Sequence, residues 1–231
     1  MQMLKNYAVI LASGSGSRCG KEVPKQFLKI ADKTVLEHTI EAFENCCHID
    51  GIILVINPDY KELAISIIDT KNYTKIIKIV DGGETRKDSS FNGVFSIEEE
   101  EANVLIHDCA RPLVSSRIIE ECVKALEKYS AVGVAIPVTD TIVEVSNGII
   151  QNIPERKNLM CIQTPQCFKL SLIKKAHTMS QADVNFTDDC GLIVKNNLAE
   201  VFIVNGDSEN IKITYPNDIC IAEKFLQNKT I

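Results

Sequence analysis

Short β-rich apolar runs recur along the 231-residue chain, each separated from the next by a stretch whose apolar residues repeat at helical spacing. That alternation confines the chain to a largely parallel sheet flanked by helices, because parallel strands need long crossovers and helices supply them. Residues 7–11, 51–56, 75–80, 104–107, 131–136 and 200–204 read as strands. Residues 35–43, 58–70, 89–98, 116–128, 170–179, 188–195 and 216–226 read as helices, the first with Val35, Leu36, Ile40 and Phe43 on one side. The pattern changes once. Residues 141–145 and 149–153 flank Asn147-Gly148, a pair suited to a type I′ hairpin turn. An arm over about 138–160 is therefore expected to project from the sheet and pair with a second subunit. The expected architecture is α/β: one domain over 1–231, a three-layer sandwich with a Rossmann-like, mostly parallel mixed sheet and a projecting β-hairpin arm.

With 45% hydrophobic residues the chain can fill such a core, yet no apolar run approaches the ~18 to 20 residues of a membrane span. The first residues lead directly into a strand, without the pattern of a cleaved leader. The nine cysteines are odd in number, include the adjacent Cys46-Cys47 and never fall in C-x-x-C spacing, so they read as reduced thiols. A soluble, cytoplasmic protein is expected. The net charge of −6 argues against a nucleic-acid partner, so any phosphate ligand must be caught by a few cations gathered locally.

Such a gathering begins where the first strand ends. Residues 11–20, Leu-Ala-Ser-Gly-Ser-Gly-Ser-Arg-Cys-Gly, are followed by Pro24-Lys25-Gln26-Phe27. Ligands of open α/β sheets collect at the carboxyl ends of strands, and small residues such as Ala12, Ser13, Gly14 and Gly16 let backbone N–H groups approach phosphate oxygens. The run is no dinucleotide fingerprint, because Cys19 stands where Gly or Ala is wanted, and no Gly-Lys-Ser/Thr makes it a P-loop. It adds two cations, Arg18 and Lys25, on a loop long enough to wrap a triphosphate.

This loop resembles that of the sugar-phosphate nucleotidyltransferases, in particular the branch that forms CDP-alcohols. Four further segments fit the same branch in the same order: 81–89 (Asp-Gly-Gly-Glu-Thr-Arg-Lys-Asp-Ser), 107–112 (His-Asp-Cys-Ala-Arg-Pro), 163–166 (Gln-Thr-Pro-Gln) and 210–214 (Asn-Ile-Lys-Ile-Thr) with Pro216 and Asp218. The match is most similar to the cytidylyltransferases of 2-C-methyl-D-erythritol 4-phosphate, with the ribitol-5-phosphate enzymes as near relatives. The resemblance implies CTP and a small polyol phosphate as partners, and Mg²⁺ or another divalent cation held mainly by CTP phosphates, with Asp108 a candidate ligand; the expected arm favours a homodimer. The resemblance also implies nucleotide contacts from Gly82, Gly83, Ser89 and Cys109, and acceptor contacts from Asp108, Arg111, Thr141, Arg156 and Thr164.

The residues themselves support parts of this. A Gly82-Gly83 turn before a helix opened by Ser89 offers backbone amides and a hydroxyl to a base and ribose, while Arg86 either braces the turn or meets the ligand. Asp108 ends a strand, where it orients a substrate hydroxyl or a metal, or else caps the next turn. His107 alternates to the opposite face and reads as packing. Lys212 alternates with Ile211 and Ile213 and joins Arg18 and Lys25 as the catalytic cations. A phosphate monoester, with a second pKa near ~6, is already nucleophilic at neutral pH and needs no general base.

For the acceptor, Arg156-Lys157-Asn158-Leu159 and Phe186-Thr187-Asp188-Asp189 fit the isoprenoid enzymes, and Ile162 stands where ribitol enzymes tend to have glycine. Met160 departs from the aromatic usual on the isoprenoid side. Two other classes stay on the table: an NAD(P)-dependent oxidoreductase, which the missing third glycine disfavours, and a nucleotide sensor without turnover, which the intact cations disfavour.

Overall fold

The computed structural model describes residues 4–14, 23–180 and 186–228. Its strands are β1 (Asn6–Ala12), β2 (Lys29–Ile30), β3 (Lys33–Thr34), β4 (Gly51–Ile56), β5 (Ile76–Asp81), β6 (Asn103–Asp108), β7 (Ala131–Pro137), β8 (Glu144–Ser146), β9 (Ile149–Asn152), β10 (Met160–Lys169) and β11 (Phe202–Asn205). The helices are α1 (Val35–Glu44), α2 (Lys61–Asp69), α3 (Arg86–Phe95), α4 (Ser116–Ala125), α5 (Leu170–Met179), α6 (Asp189–Lys195) and α7 (Asn217–Asn228).

Seven strands form one sheet in the order β11-β7-β10-β6-β1-β4-β5. β1 pairs in parallel with β4 and β6, β4 with β5, and β7 with β11, whereas β10 runs antiparallel between β6 and β7. Side-chain alternation along β1 divides the interior in two. Ala8, Ile10 and Ala12 pack with Leu36 and Phe43 of α1, Ile118 of α4 and Ala222 of α7; Tyr7, Val9 and Leu11 pack with Val94 of α3, Ile173 of α5 and Leu192 of α6. Helices thus cover both faces of a mixed, mostly parallel sheet, the expected α/β sandwich.

Three elements differ from the sequence reading. β10 was not expected, because Gln163-Thr164-Pro165-Gln166 is polar and carries a proline that removes a ladder donor. The structure resolves this with a bulge: pairing to β7 shifts register between Gln163 and Gln166, so the proline N need not donate. α3 begins at Arg86, not Ser89, because Thr85 and Asp88 form a reciprocal capping box. α4 begins at Ser116 as expected, capped by Ser115, but ends at Ala125 rather than at 128. The hairpin is present with short strands, Asn147 and Gly148 both adopting the positive φ of a type I′ turn.

Progression from β1 through β4 to β5 moves one way across the sheet, and the return to β6 lies on the other side of β1. The strand order therefore switches between β1 and β6, the place where open α/β sheets bind ligands. In that register Leu11 sits opposite Asp108.

α3 lies close over β1 and β4 because Gly93 has no side chain: a Cβ there would stand 2.5 Å from Val9 Cγ1 and 2.8 Å from Val55 Cγ2. Gly93→Ala is expected to lose about 1–3 kcal/mol in urea unfolding, although alanine is intrinsically the better helix former by ~1 kcal/mol.

Candidate active site

A cavity of about 510 Å³ opens at the carboxyl ends of β1 and β6, a volume within the usual ~300–1,000 Å³ of small-molecule sites. Ala12, Ser13 and Gly14 form one wall as β1 ends. The turn at Lys25–Phe27 forms the next, held by Gln26: its buried amide donates to the carbonyls of Ala12 at 2.9 Å and Gly14 at 3.1 Å. That tether carries Lys25 to the cavity, where its Nζ donates to the Ile213 carbonyl at 2.8 Å. Gly16, Arg18 and Cys19 lie outside the described residues.

Asp108 is the electrostatic centre of the far wall. Its Oδ1 accepts from Arg86 Nε at 3.0 Å and its Oδ2 from Lys212 Nζ at 2.6 Å, and all three residues line the cavity. Burial alone would raise the Asp108 pKa, but the charges of Arg86 and Lys212 outweigh it and hold the carboxyl well below the usual range. Arg86 is raised in turn, burial being overcome by Asp108 and by Asp189, whose Oδ2 accepts from Nη1 at 2.7 Å. The segment carrying Lys212 is not a strand, although its alternation holds: Ile213 is buried, and its N–H donates to the Ala110 carbonyl at 2.7 Å.

Other predicted residues take different roles. The Gly82 and Gly83 amides are committed to the Ile56 carbonyl (2.7 Å) and to Ser89 Oγ (3.1 Å), so they are not open to a base as expected. Both glycines are needed for close approach, since a Cβ at either would lie 2.3 Å from the Cβ of Ser13 or Asp88. Ser89 lines the cavity, but its hydroxyl donates to the Thr85 carbonyl and bonds Ser13 Oγ at 2.7 Å, joining the first two walls. Cys109 lines it as well, with its thiol pushed by burial up to about 12. Arg111 turns away, donating from Nη1 to the Asn210 carbonyl at 2.7 Å.

Thr164, expected at the acceptor, spends its hydroxyl inside the protein. It accepts from the Asp108 N–H at 3.1 Å and meets His107 Nδ1 at 3.0 Å, while His107 Nε2 meets the Arg111 carbonyl at 3.0 Å. A carbonyl only accepts, so Nε2 carries the proton and Thr164 donates to Nδ1. His107 is packing, as its place on the strand indicates. Thr141 and Arg156 bond each other on the exposed arm at 3.1 Å and do not line the cavity within this chain. Sequence reasoning assigned no role to Gln26, Asn57 (also on the cavity wall) or Asp189. Gln26 carried a signal in Pro24-Lys25-Gln26-Phe27 and Asp189 in Phe186-Thr187-Asp188-Asp189, whereas Asn57 carried none.

Two lysines and an arginine converging with small-residue backbone at a topological switch suit a polyphosphate. Neither neighbouring reactive group is a nucleophile in waiting: His107 is buried and neutral, and Cys109 is held as a thiol. Fold and site together define a nucleotidyltransferase. The profile of the 2-C-methyl-D-erythritol 4-phosphate cytidylyltransferase (IspD) family matches residues 6–228. A bifunctional ribulose 5-phosphate reductase/CDP-ribitol pyrophosphorylase of Haemophilus influenzae is 42% identical over 100% of this chain, which spans 50% of that protein. The 2-C-methyl-D-erythritol 4-phosphate cytidylyltransferase of Thermobifida fusca is 39% identical over 95% of this chain and 92% of its own. The crystal structure of a 4-diphosphocytidyl-2C-methyl-D-erythritol synthase from Anaerococcus prevotii superposes with a TM-score of 0.86 at 31% identity, covering 97% of this chain and 96% of that one. The chain belongs to the 2-C-methyl-D-erythritol 4-phosphate cytidylyltransferase family.

Burial lowers the His107 pKa from 6.5 to about 4. Between those values the unfolded chain takes up a proton that the folded one refuses, so stability falls as pH drops through the window, by roughly 3 kcal/mol for this group. His107→Gln is expected to flatten the difference in urea unfolding between pH 7 and pH 4.5 by about that amount.

Proposed function

We propose that the protein transfers CMP from CTP to the phosphate of 2-C-methyl-D-erythritol 4-phosphate. A phosphate oxygen of the acceptor attacks the α-phosphorus, a new P–O bond forms, and the bond to the β-phosphate breaks with its electron pair leaving on pyrophosphate. The observation that carries this reading is the meeting of Lys25 and Lys212, 187 positions apart in sequence, on one cavity beside Asp108. Lys212 has three N–H donors and gives one to Asp108, so it can hold phosphate without leaving its partner. The cations orient two anionic reactants and neutralise the charge that grows on the departing pyrophosphate.

A divalent cation fits this site as cargo of the triphosphate. Among the described residues no cluster of three or more His, Cys, Asp or Glu is placed to hold a metal, and both Asp108 oxygens already accept from cations. Mg²⁺ bound through CTP oxygens would withdraw charge from the phosphates, and Asp108 and Glu84 are the carboxylates on the cavity wall that could meet it.

The arm supports a homodimer. Val145, Ile149, Ile150 and Ile153 are each more than half exposed on it, an apolar surface that a second copy would cover, and the pair Arg156–Thr141 would then serve the partner's acceptor end. Sedimentation is expected to give a dimer that Ile149→Asp with Ile150→Asp converts to monomer; a wild-type monomer at micromolar concentration would reject the arrangement. Among the described residues no helix is long and apolar enough to cross a membrane, and the eight described cysteines are all free, which supports a cytoplasmic setting.

Ribitol 5-phosphate is the second reading, favoured by the 42%-identical CDP-ribitol relative. Pocket differences of this size are worth only ~1–3 kcal/mol, or ~10- to 200-fold. Pyrophosphate release from CTP and Mg²⁺ is expected to be at least tenfold more efficient with methylerythritol phosphate, and Lys25→Ala to cost about 10² to 10³. The reverse preference would transfer the chain to ribitol phosphate, and silence with both would reject the activity.

A further inference from the structure

Asp189 does not line the cavity, yet it is the most buried carboxylate connected to it, 1% exposed. It opens α6 and bonds Arg86 from behind at 2.7 Å, while the same guanidinium bonds Asp108 in front at 3.0 Å. Charges therefore alternate along one connected row: Lys212, Asp108, Arg86, Asp189. The far end is clamped. Ser90 Oγ donates to the free Asp189 oxygen at 2.5 Å, and Gln166 Oε1 accepts the Asp189 and Cys190 N–H groups at 2.8 and 2.9 Å. Gln166 in turn donates to Asp188 at 3.0 Å. His177, 3.8 Å from Asp189, is lowered by burial.

We infer that Asp189 is a positioning residue for nucleotidyl transfer: by fixing the Arg86 guanidinium it sets the place of Asp108, and through Asp108 that of Lys212. This rests on the proposed activity and extends it to the Phe186-Thr187-Asp188-Asp189 segment. With a carboxylate on either side, Arg86 cannot swing toward the triphosphate, and Asp108 cannot follow it away from Lys212. Without the rear carboxylate, Arg86 is held by Asp108 alone and the row of Lys212, Asp108 and Arg86 carries a net positive charge, so the nucleotide is still attracted while the alignment is lost.

Asp189→Asn keeps the shape and removes the charge. It is expected to lower kcat by roughly 10- to 100-fold, the size that outer partners carry at other preorganised sites, with CTP affinity by calorimetry equal to or tighter than wild type. In an Arg86→Lys background, which already breaks the fork, the same substitution is expected to cost less than twofold more. Ser90→Ala, a milder change to the same clamp, is expected to lower kcat about threefold or more with CTP affinity held, and it decides the matter if Asp189→Asn does not fold. A kcat within twofold of wild type in Asp189→Asn, full additivity with Arg86→Lys, or CTP bound threefold or more weakly would each overturn the positioning role. If wild-type enzyme released no pyrophosphate with either acceptor, the proposed activity would fail on its own, and CTP affinity would decide the relay.

Discussion

One carboxylate shared by two cations organises this molecule. Asp108 sits at the end of a central strand with little access to water, where an ionised side chain is tolerated only if opposite charges are brought to it. Arg86 and Lys212 meet that need from α3 and from the stretch before α7, so satisfying one buried charge draws together segments 22 and 104 residues away. Removing Arg86 would leave the buried carboxylate of Asp189 without its cation, a change of a kind that typically costs about 3–5 kcal/mol. The cations that suit a triphosphate are thus also needed by the fold. The cavity wall stays close to neutral until the ligand arrives.

The bulged strand β10 is the frame for this arrangement. Gln163 holds the chain beyond β11: its amide donates to the Asp207 carbonyl at 2.8 Å, and its oxygen accepts from the Asn210 amide at 3.2 Å, five and two residues before Lys212. Thr164 accepts from the Asp108 backbone, and Gln166 fixes the start of α6. Four consecutive residues therefore align three parts of the site without facing the ligand. The polarity that hides this segment from a strand search is what its buried position uses, since each amide and hydroxyl is consumed by backbone or side-chain partners.

Regular elements were legible because periodicity is local: the runs at β1, β4 and β7 and the stripes of α1 and α4 stand within a few residues of where the structure has them. Lys25, Asp108 and Lys212 were legible as a group because small residues, a strand end and a cation each suggest a phosphate site in their own right. What local pattern could not show is which donors are already taken. The amides of Gly82 and Gly83 look available in sequence, but β4 and Ser89 claim them; the hydroxyl of Thr164 looks available, but His107 and Asp108 claim it. Asp189 stood in sequence as part of an expected helix and of the segment 186–189, and only the fold places Arg86 against it.

The same separation bears on acceptor choice. Under the proposed activity, residues on the cavity wall would handle what CDP-alcohol syntheses share, a triphosphate and an attacking phosphate, and relatives named for different acceptors are nearly equally similar to this chain, 42% and 39% identical. Under the proposed dimer, Thr141 and Arg156 approach the acceptor from the partner's arm, a surface without buried partners of its own and hence with few packing constraints. Selectivity held there can change by substitutions that leave the Lys212–Asp108–Arg86–Asp189 row intact.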